Sequence, residues 1–211
     1  MNHLEISVDK HLGIESFDDI KNELELSNIY VRIKEHSITG NYALLDWIIP
    51  TGISLIILKP YYETFLKKAA EDHYEMLKAF LKDRLYKKAI HPDEEFKIVS
   101  MNGKEKETFF TMHFSVLHKI TKDNKSITLK LMFPKDCSNI YFEKAIFSFV
   151  ELQSELEDKK EADLLFDKLV KSDHGMYGSK IVWYNASKET LEFLDITQSA
   201  ITKSIVPIEF V

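Results

Sequence analysis

The chain has 211 residues, of which 45% are hydrophobic and 29% are charged, and its formal net charge is −6. These proportions are those of ordinary globular domains, so they exclude a disordered, collagen-like or disulfide-rich chain. The 28 basic and 34 acidic residues are interleaved along the sequence and leave no broad basic face for a phosphate backbone. We therefore expect no nucleic-acid partner.

The cysteine content bears on the cellular compartment. A single cysteine, Cys137, permits no disulfide within the chain, and this predicts a reducing environment. The first residues contain neither the cationic nor the apolar region of a secretion signal. We therefore expect a cytoplasmic protein.

The first forty residues predict a strand, a helix and a second strand. Leu4, Ile6 and Val8 alternate with polar residues, as expected for a half-buried strand. Ser16 is a suitable N-cap for a short helix, and the alternation resumes at Ile29.

An apolar run extends from Trp47 to Leu58, and a long amphipathic helix is predicted from Tyr61 to Lys88. The run is too short to cross a bilayer, because a spanning helix needs about 20 apolar residues. We interpret it as a buried core helix. The alternative is a membrane or partner contact, made by Trp47, Ile53, Ile57, Tyr61 and Tyr62.

The second half of the chain predicts a β-meander followed by helices. Strands are expected at 95–101, 108–120 and 126–133. In the middle strand, alternation puts Phe110 and Met112 on the same face as Phe114. A sheet that is apolar on one side only is usually antiparallel.

Two helices and a closing hairpin are expected after the meander. Ser138 is the predicted N-cap of a helix that ends near Glu157, and a second helix ends near Lys171. Strands are predicted at 181–184 and 191–195, and a last edge strand at 205–210.

These elements predict an α+β fold. We expect a mostly antiparallel sheet packed on one side by two or three helices, with an N-terminal strand-helix-strand unit. The chain is expected to form a single domain over residues 1–211, with any internal boundary near 91–94.

Three residues are candidates for catalysis. His73 lies on the apolar stripe of the amphipathic helix, where a hydrogen-bonded core histidine is the more common finding. Asp173 and His174 precede a glycine in a polar loop, and loops carry functional residues more often than cores do.

The sequence contains no P-loop, dinucleotide-binding, HExxH, GxSxG or CxxC motif, so no cofactor or metal is expected. We therefore favour a non-catalytic protein of regulatory, adaptor or immunity type that acts by binding another protein. One alternative is a membrane-associating protein that uses residues 47–58 and the helix 61–88. The other is an enzyme with a site near Asp173 and His174. The sequence does not determine the oligomeric state.

Overall fold

The computed structural model describes residues 2–26, 28–36, 51–59, 79–90, 98–99, 105–106, 109–172 and 178–210. The internal boundary expected near 91–94 lies outside these residues. The strands in chain order are β1 (Leu4–Asp9), β2 (Val31–His36), β3 (Ile53–Ile57), β4 (Ile98–Val99), β5 (Glu105–Lys106), β6 (Phe110–Lys122), β7 (Lys125–Pro134), β8 (Gly178–Asn185) and β9 (Thr190–Phe193).

The described part of the chain contains five α-helices. A 3₁₀ turn (Ile14–Phe17) precedes the first helix, and a π-helical turn (Phe80–Leu85) precedes the second. The helices are α1 (Asp18–Leu26), α2 (Tyr86–Ile90), α3 (Asn139–Glu155), α4 (Lys159–Ser172) and α5 (Ile196–Thr202).

Seven strands form one sheet in the order β2-β1-β3-β6-β7-β8-β9, and β4 and β5 form a separate pair. The α+β class and the N-terminal strand-helix-strand unit are confirmed. Antiparallel pairings were expected to dominate, but the sheet is evenly mixed: β1–β2, β3–β6 and β7–β8 are parallel. Each parallel pair has at least one helix between its two strands in the sequence, and such a crossover lets the chain return in the same direction.

One face of the sheet is apolar, and the helices α1 to α4 pack on it, as expected. The centre of this core is an aromatic cluster of Phe114 on β6, Phe133 on β7 and Phe142 on α3, all fully buried. Their ring centroids lie 4.7–5.5 Å apart. Ser138 caps α3 as predicted, because its hydroxyl accepts a hydrogen bond from the Tyr141 N–H at 3.2 Å.

The long strands β6 and β7 form a hairpin with a two-residue turn. Asp123 and Asn124 form that turn with φ angles of 48° and 61°. Two successive residues with positive φ are typical of a type I′ turn, whose twist matches that of the flanking strands. The register is regular from Lys122–Lys125 to Ser115–Met132.

The start of β6 departs from the simple alternation. The pairing with β7 is irregular between Phe110 and Ser115. As a result, Phe110 and Met112 belong to a second cluster with Met132 and Ile181, whereas Phe114 belongs to the main core. The expectation that Phe110, Met112 and Phe114 share one face was wrong, because a bulge changes the side toward which the following residues point.

The described part of the apolar run is buried, as interpreted, but it forms a strand rather than a helix. Ile53–Ile57 forms β3 between β1 and β6. Periodicity alone does not separate a short buried strand from a buried helix. The decisive feature is the three isoleucines in this five-residue segment, since β-branched residues favour strands.

The C-terminal segment contains a helix that the sequence did not suggest. Asp195 caps α5, and its side chain accepts a hydrogen bond from the Gln198 N–H at 2.8 Å. The last strand expected at 205–210 is reduced to an isolated bridge between Leu194 and Pro207. Proline cannot donate to a strand ladder, which limits the pairing there.

The aromatic cluster provides a test of the core. Replacing Phe142 with alanine should lower the free energy of unfolding by about 3–5 kcal/mol, because the ring is fully buried. Ile140 on the same helix is 70% exposed, so Ile140→Ala should change the free energy of unfolding by less than about 0.5 kcal/mol. Urea unfolding of both variants makes the comparison, and equal losses would contradict this packing.

Candidate functional site

The second face of the sheet is polar, and we call it the polar face. Glu5 and Ser7 on β1, Ser54 on β3 and Thr128 on β7 point to it, since they alternate with the buried core residues of their strands. The C-terminal segment with α5 packs on part of this face, through an apolar cluster that contains Met112 of β6, Met132 of β7 and Ile181 of β8.

A cleft of about 310 Å³ lies on the polar face. This volume is at the lower end of the range for ligand pockets. Six strands of the sheet contribute to it, and the lining residues are Glu5, Ser7, His36, Ser54, Ile56, Leu117, Thr128, Lys130 and Ser179.

A wider depression of about 550 Å³ lies at the start of α4. All its described lining residues come from the single segment 158–167, with three aspartates and two lysines among them. Because the side chains of one helical segment cannot surround a ligand, we regard it as a surface hollow.

A buried hydroxyl cluster supports the floor of the cleft. The Thr51 hydroxyl lies 2.5 Å from the Ser115 hydroxyl and 3.1 Å from that of Ser54, and Ser54 and Ser115 are 3.3 Å apart. All three residues are buried, and each hydroxyl can both donate and accept. The cluster therefore links β3 to β6 without any charge.

Ser7 and His36 form the most chemically suggestive contact in the cleft. The Ser7 hydroxyl lies 3.0 Å from His36 Nδ1, which joins the middle of β1 to the end of β2. A serine hydrogen-bonded to a histidine is the first part of a nucleophile-base arrangement. Within the described chain, Ser7 is the only hydrogen-bond partner of the His36 ring, so no carboxylate orients the imidazole.

Lys130 is a buried ionisable residue that lines the cleft. It lies on β7 with 4% exposure, and burial lowers the pKa of its ammonium from 10.5 to about 7. Desolvation disfavours the charged form of a lysine, so this ammonium loses its proton more readily than that of an exposed lysine. An anionic group that entered the cleft would favour the protonated form.

The edge strand β2 continues the polar face with basic side chains. Arg32, Lys34 and His36 point to this side, since they occupy alternate positions of β2 and the preceding Val31 is buried on the opposite side. The Lys34 ammonium pairs with the Glu5 carboxylate at 2.8 Å. Arg32 is exposed, and in the part of the chain that the structure describes it makes no ion pair.

Cys137 is not positioned as a reactive thiol. The residue is 7% exposed, and burial, with a smaller effect of the Asp136 carboxylate, raises the pKa of its thiol to about 12. The thiolate is the reactive form, and it is nearly absent at neutral pH. Among the described residues, no cluster of three or more histidine, cysteine or acidic side chains could hold a metal ion.

Of the residues singled out from the sequence, the structure describes Ile53 and Ile57, and neither lines this cleft. Ile53 and Ile57 lie in β3 with 3% and 2% exposure and face the helical layer. A contact with a membrane through them would require the central strand of the N-terminal half to leave the sheet. The other candidates lie outside the described residues: Trp47, Tyr61, Tyr62, His73, Asp173 and His174.

Sequence reasoning missed Ser7, His36 and Lys130. The sequence did contain one usable signal, because Lys130 is the only charged residue in the otherwise apolar or hydroxyl-bearing run from Ile127 to Phe133. A lysine is rarely buried without a specific environment. No local pattern pairs Ser7 with His36, which are 29 positions apart.

Comparisons with known proteins leave the function to be inferred from these residues. No protein-family model, curated protein or solved structure matches the chain. None of the helices in the described ranges is both long enough and apolar enough to cross a membrane.

The buried lysine predicts a pH dependence of stability. Unfolding returns Lys130 to water, so between pH 7 and pH 10.5 the unfolded chain binds more protons than the folded chain. The free energy of unfolding should therefore gain a contribution that rises with pH across this window, by at most about 1.4 kcal/mol per pH unit.

Urea unfolding of the wild type and of Lys130→Met, at intervals across the same window, measures that contribution. The free energy of unfolding of the wild type, relative to that of Lys130→Met, should increase with pH, because methionine has no proton to exchange. Lys168→Met, which replaces an exposed lysine on α4, is the matched control and should follow the wild type. A difference that stays constant for Lys130→Met would contradict the lowered pKa.

Proposed function

We propose that this chain is a non-catalytic protein of regulatory, adaptor or immunity type that binds an acidic surface of another protein. The observation that carries the proposal is the basic edge of the polar face, where Arg32, Lys34 and His36 lie side by side. Arg32 is exposed there, and arginine is among the residues enriched at protein interfaces.

The charge distribution supports an acidic partner. The whole chain carries a net charge of −6, which repels acidic proteins in general. At the polar face the exposed charge is basic, because Arg32 is exposed there and the Lys34 ammonium is paired with the Glu5 carboxylate. The other carboxylate of β1 on this face, that of Asp9 opposite His36, is fully buried. Local complementarity of this kind directs a partner to one place on the surface.

The cleft beside the basic edge adds hydrogen-bonding capacity. Ser7, Thr128 and Ser179 present hydroxyl groups to it, and these can donate to carboxylates or pair with backbone groups. The proposal includes a cytoplasmic location, which is supported by the single free thiol of Cys137.

Capture from the protein's own cells tests this proposal. A tagged wild type should retain a partner in stoichiometric amount, and Arg32→Glu should lower its retention about tenfold by reversing the charge at an exposed position. Lys168→Glu is the control, because it makes the same charge change on α4, away from the sheet edge.

The outcome that contradicts the proposal is a partner held equally by all three proteins, or no stoichiometric partner for any of them. Raised salt should weaken the specific complex, since rim charges act mainly through screened electrostatics.

Hydrolytic activity is a second candidate function, favoured by one observation. The 3.0 Å contact between the Ser7 hydroxyl and His36 Nδ1 lies in a cleft that also contains Lys130. A histidine in this position could accept the serine proton during attack on an ester or amide. The enzyme site expected near Asp173 and His174 stays a prediction.

A fluorophosphonate probe distinguishes the two functions. If Ser7 is an activated nucleophile, its oxygen bonds to phosphorus, fluoride leaves and His36 takes the proton. Labelling should then be lost in Ser7→Ala and His36→Gln but kept in Ser54→Ala, which removes a neighbouring cleft hydroxyl. Unlabelled wild type after prolonged exposure would remove the hydrolytic candidate and leave the binding proposal intact.

A further inference from the structure

We infer that the partner adds an extended segment to the sheet as an eighth strand beside β2, and that acidic residues alternate with apolar ones along that segment. This inference rests on the proposed function and specifies how the partner is bound. Strand addition at a sheet edge is a common mode of peptide recognition, in which backbone hydrogen bonds provide affinity and alternate side chains provide specificity.

The edge at β2 is open in the described part of the chain. Six consecutive residue pairs join β2 to β1, and no described strand pairs with its other side. The opposite edge at β9 is covered differently, because the C-terminal segment bonds to it. There the Ile208 N–H donates to the Phe193 carbonyl at 2.7 Å.

The direction of the backbone groups along β2 follows from its ends. The carbonyl of Tyr30 accepts from the N–H groups of His3 and Leu4, and the carbonyl of His36 accepts from the Lys10 N–H. Both carbonyls therefore point toward β1. Since successive residues of a strand point their backbone groups to opposite sides, those of Val31, Ile33 and Glu35 point outward and are available to another strand.

The side chains of β2 determine which residue types the added strand should carry at alternate positions. On the polar face the order is Arg32, Lys34, His36, and directly opposite side chains of neighbouring strands interact. Acidic residues at every second position of the added strand would face these basic groups. Its intervening residues would lie on the helical side, beside Val31, the half-buried Ile33 and, near the end of the strand, the exposed Glu35. Apolar side chains fit beside the first two.

The same charges disfavour a second copy of this chain as the occupant. In an antiparallel pair of β2 strands related by a twofold axis, directly opposite residues lie on the same face of the continuous sheet. Arg32 would then meet Lys34 or another basic residue of the copy. Like charges directly opposite each other are destabilising, so a partner with an acidic strand is favoured over self-association.

The experiment uses the full chain and defined peptides. The first probe is an eight-residue peptide in which glutamate alternates with valine, with blocked ends and a fluorophore for anisotropy. The second contains the same residues as a block of four glutamates and a block of four valines. The first should bind at least about tenfold more tightly, because only alternation places acidic groups on one face.

Substitutions in β2 separate strand addition from simple charge attraction. Glu35→Pro removes an outward N–H and leaves the bonds to β1 in place, whereas Glu35→Ala keeps the N–H. The proline variant should lose binding of the alternating peptide and the alanine variant should retain it. Arg32→Glu, which keeps the backbone unchanged, should weaken binding about tenfold, and Lys168→Glu should not.

Hydrogen exchange provides a readout that charge attraction alone would not change. Binding of the alternating peptide should slow exchange of the outward amides of Val31, Ile33 and Glu35. Equal affinity for the two peptides, retained binding in a folded Glu35→Pro variant, or self-association through β2 would each overturn the inference. If the captured natural partner still depends on Arg32 while the alternating peptide fails to bind, strand addition is wrong and the binding function stands.

Discussion

The burial of a single apolar sheet face beneath the helices is the constraint on which the rest of this structure depends. Alternation along β1 and β3 sends Leu4, Ile6 and Leu55 into the core. The residues between them, such as Glu5, Ser7 and Ser54, are thereby placed on the other face. The cleft and the basic edge both result from this division, since a strand that buries one side must present the other.

Hydrogen bonds between short side chains stabilise the centre of the polar face. The hydroxyl cluster of Thr51, Ser54 and Ser115 satisfies its own hydrogen bonds beneath the cleft. Lys130 contrasts with this arrangement, because burial holds the pKa of its ammonium near 7. A protein keeps such a group at a cost in stability, and perturbed lysines are found at functional positions more often than elsewhere.

Much of the fold follows from local sequence patterns. The alternation at Leu4–Asp9, the Ser138 cap and the hairpin strands β6 and β7 are local signals, and the structure contains all of them. Strand order and pairing direction are not local. They depend on which strands lie side by side, and alternation reports only which face is buried.

The site was less accessible from sequence than the fold. Ser7 and His36 come together only because β1 and β2 pair in parallel, with Asp9 opposite His36 in the register. A bulge in β6 likewise moved Phe110 and Met112 away from the face that alternation suggested. Both are long-range consequences of packing. The edge position of β2 among the described strands depends on the sheet order in the same way.

The β6–β7 hairpin has a consequence for how the molecule assembles. Its strands are connected by only Asp123 and Asn124, and contacts that are close in sequence form fastest. By contrast, Ile53 pairs with Phe114, which lies 61 positions later. The hairpin is therefore suited to form early, as a template on which β3 docks. In the described sheet β1 and β2 are joined to the hairpin only through β3, so the seven strands become one continuous sheet only when β3 pairs with β6.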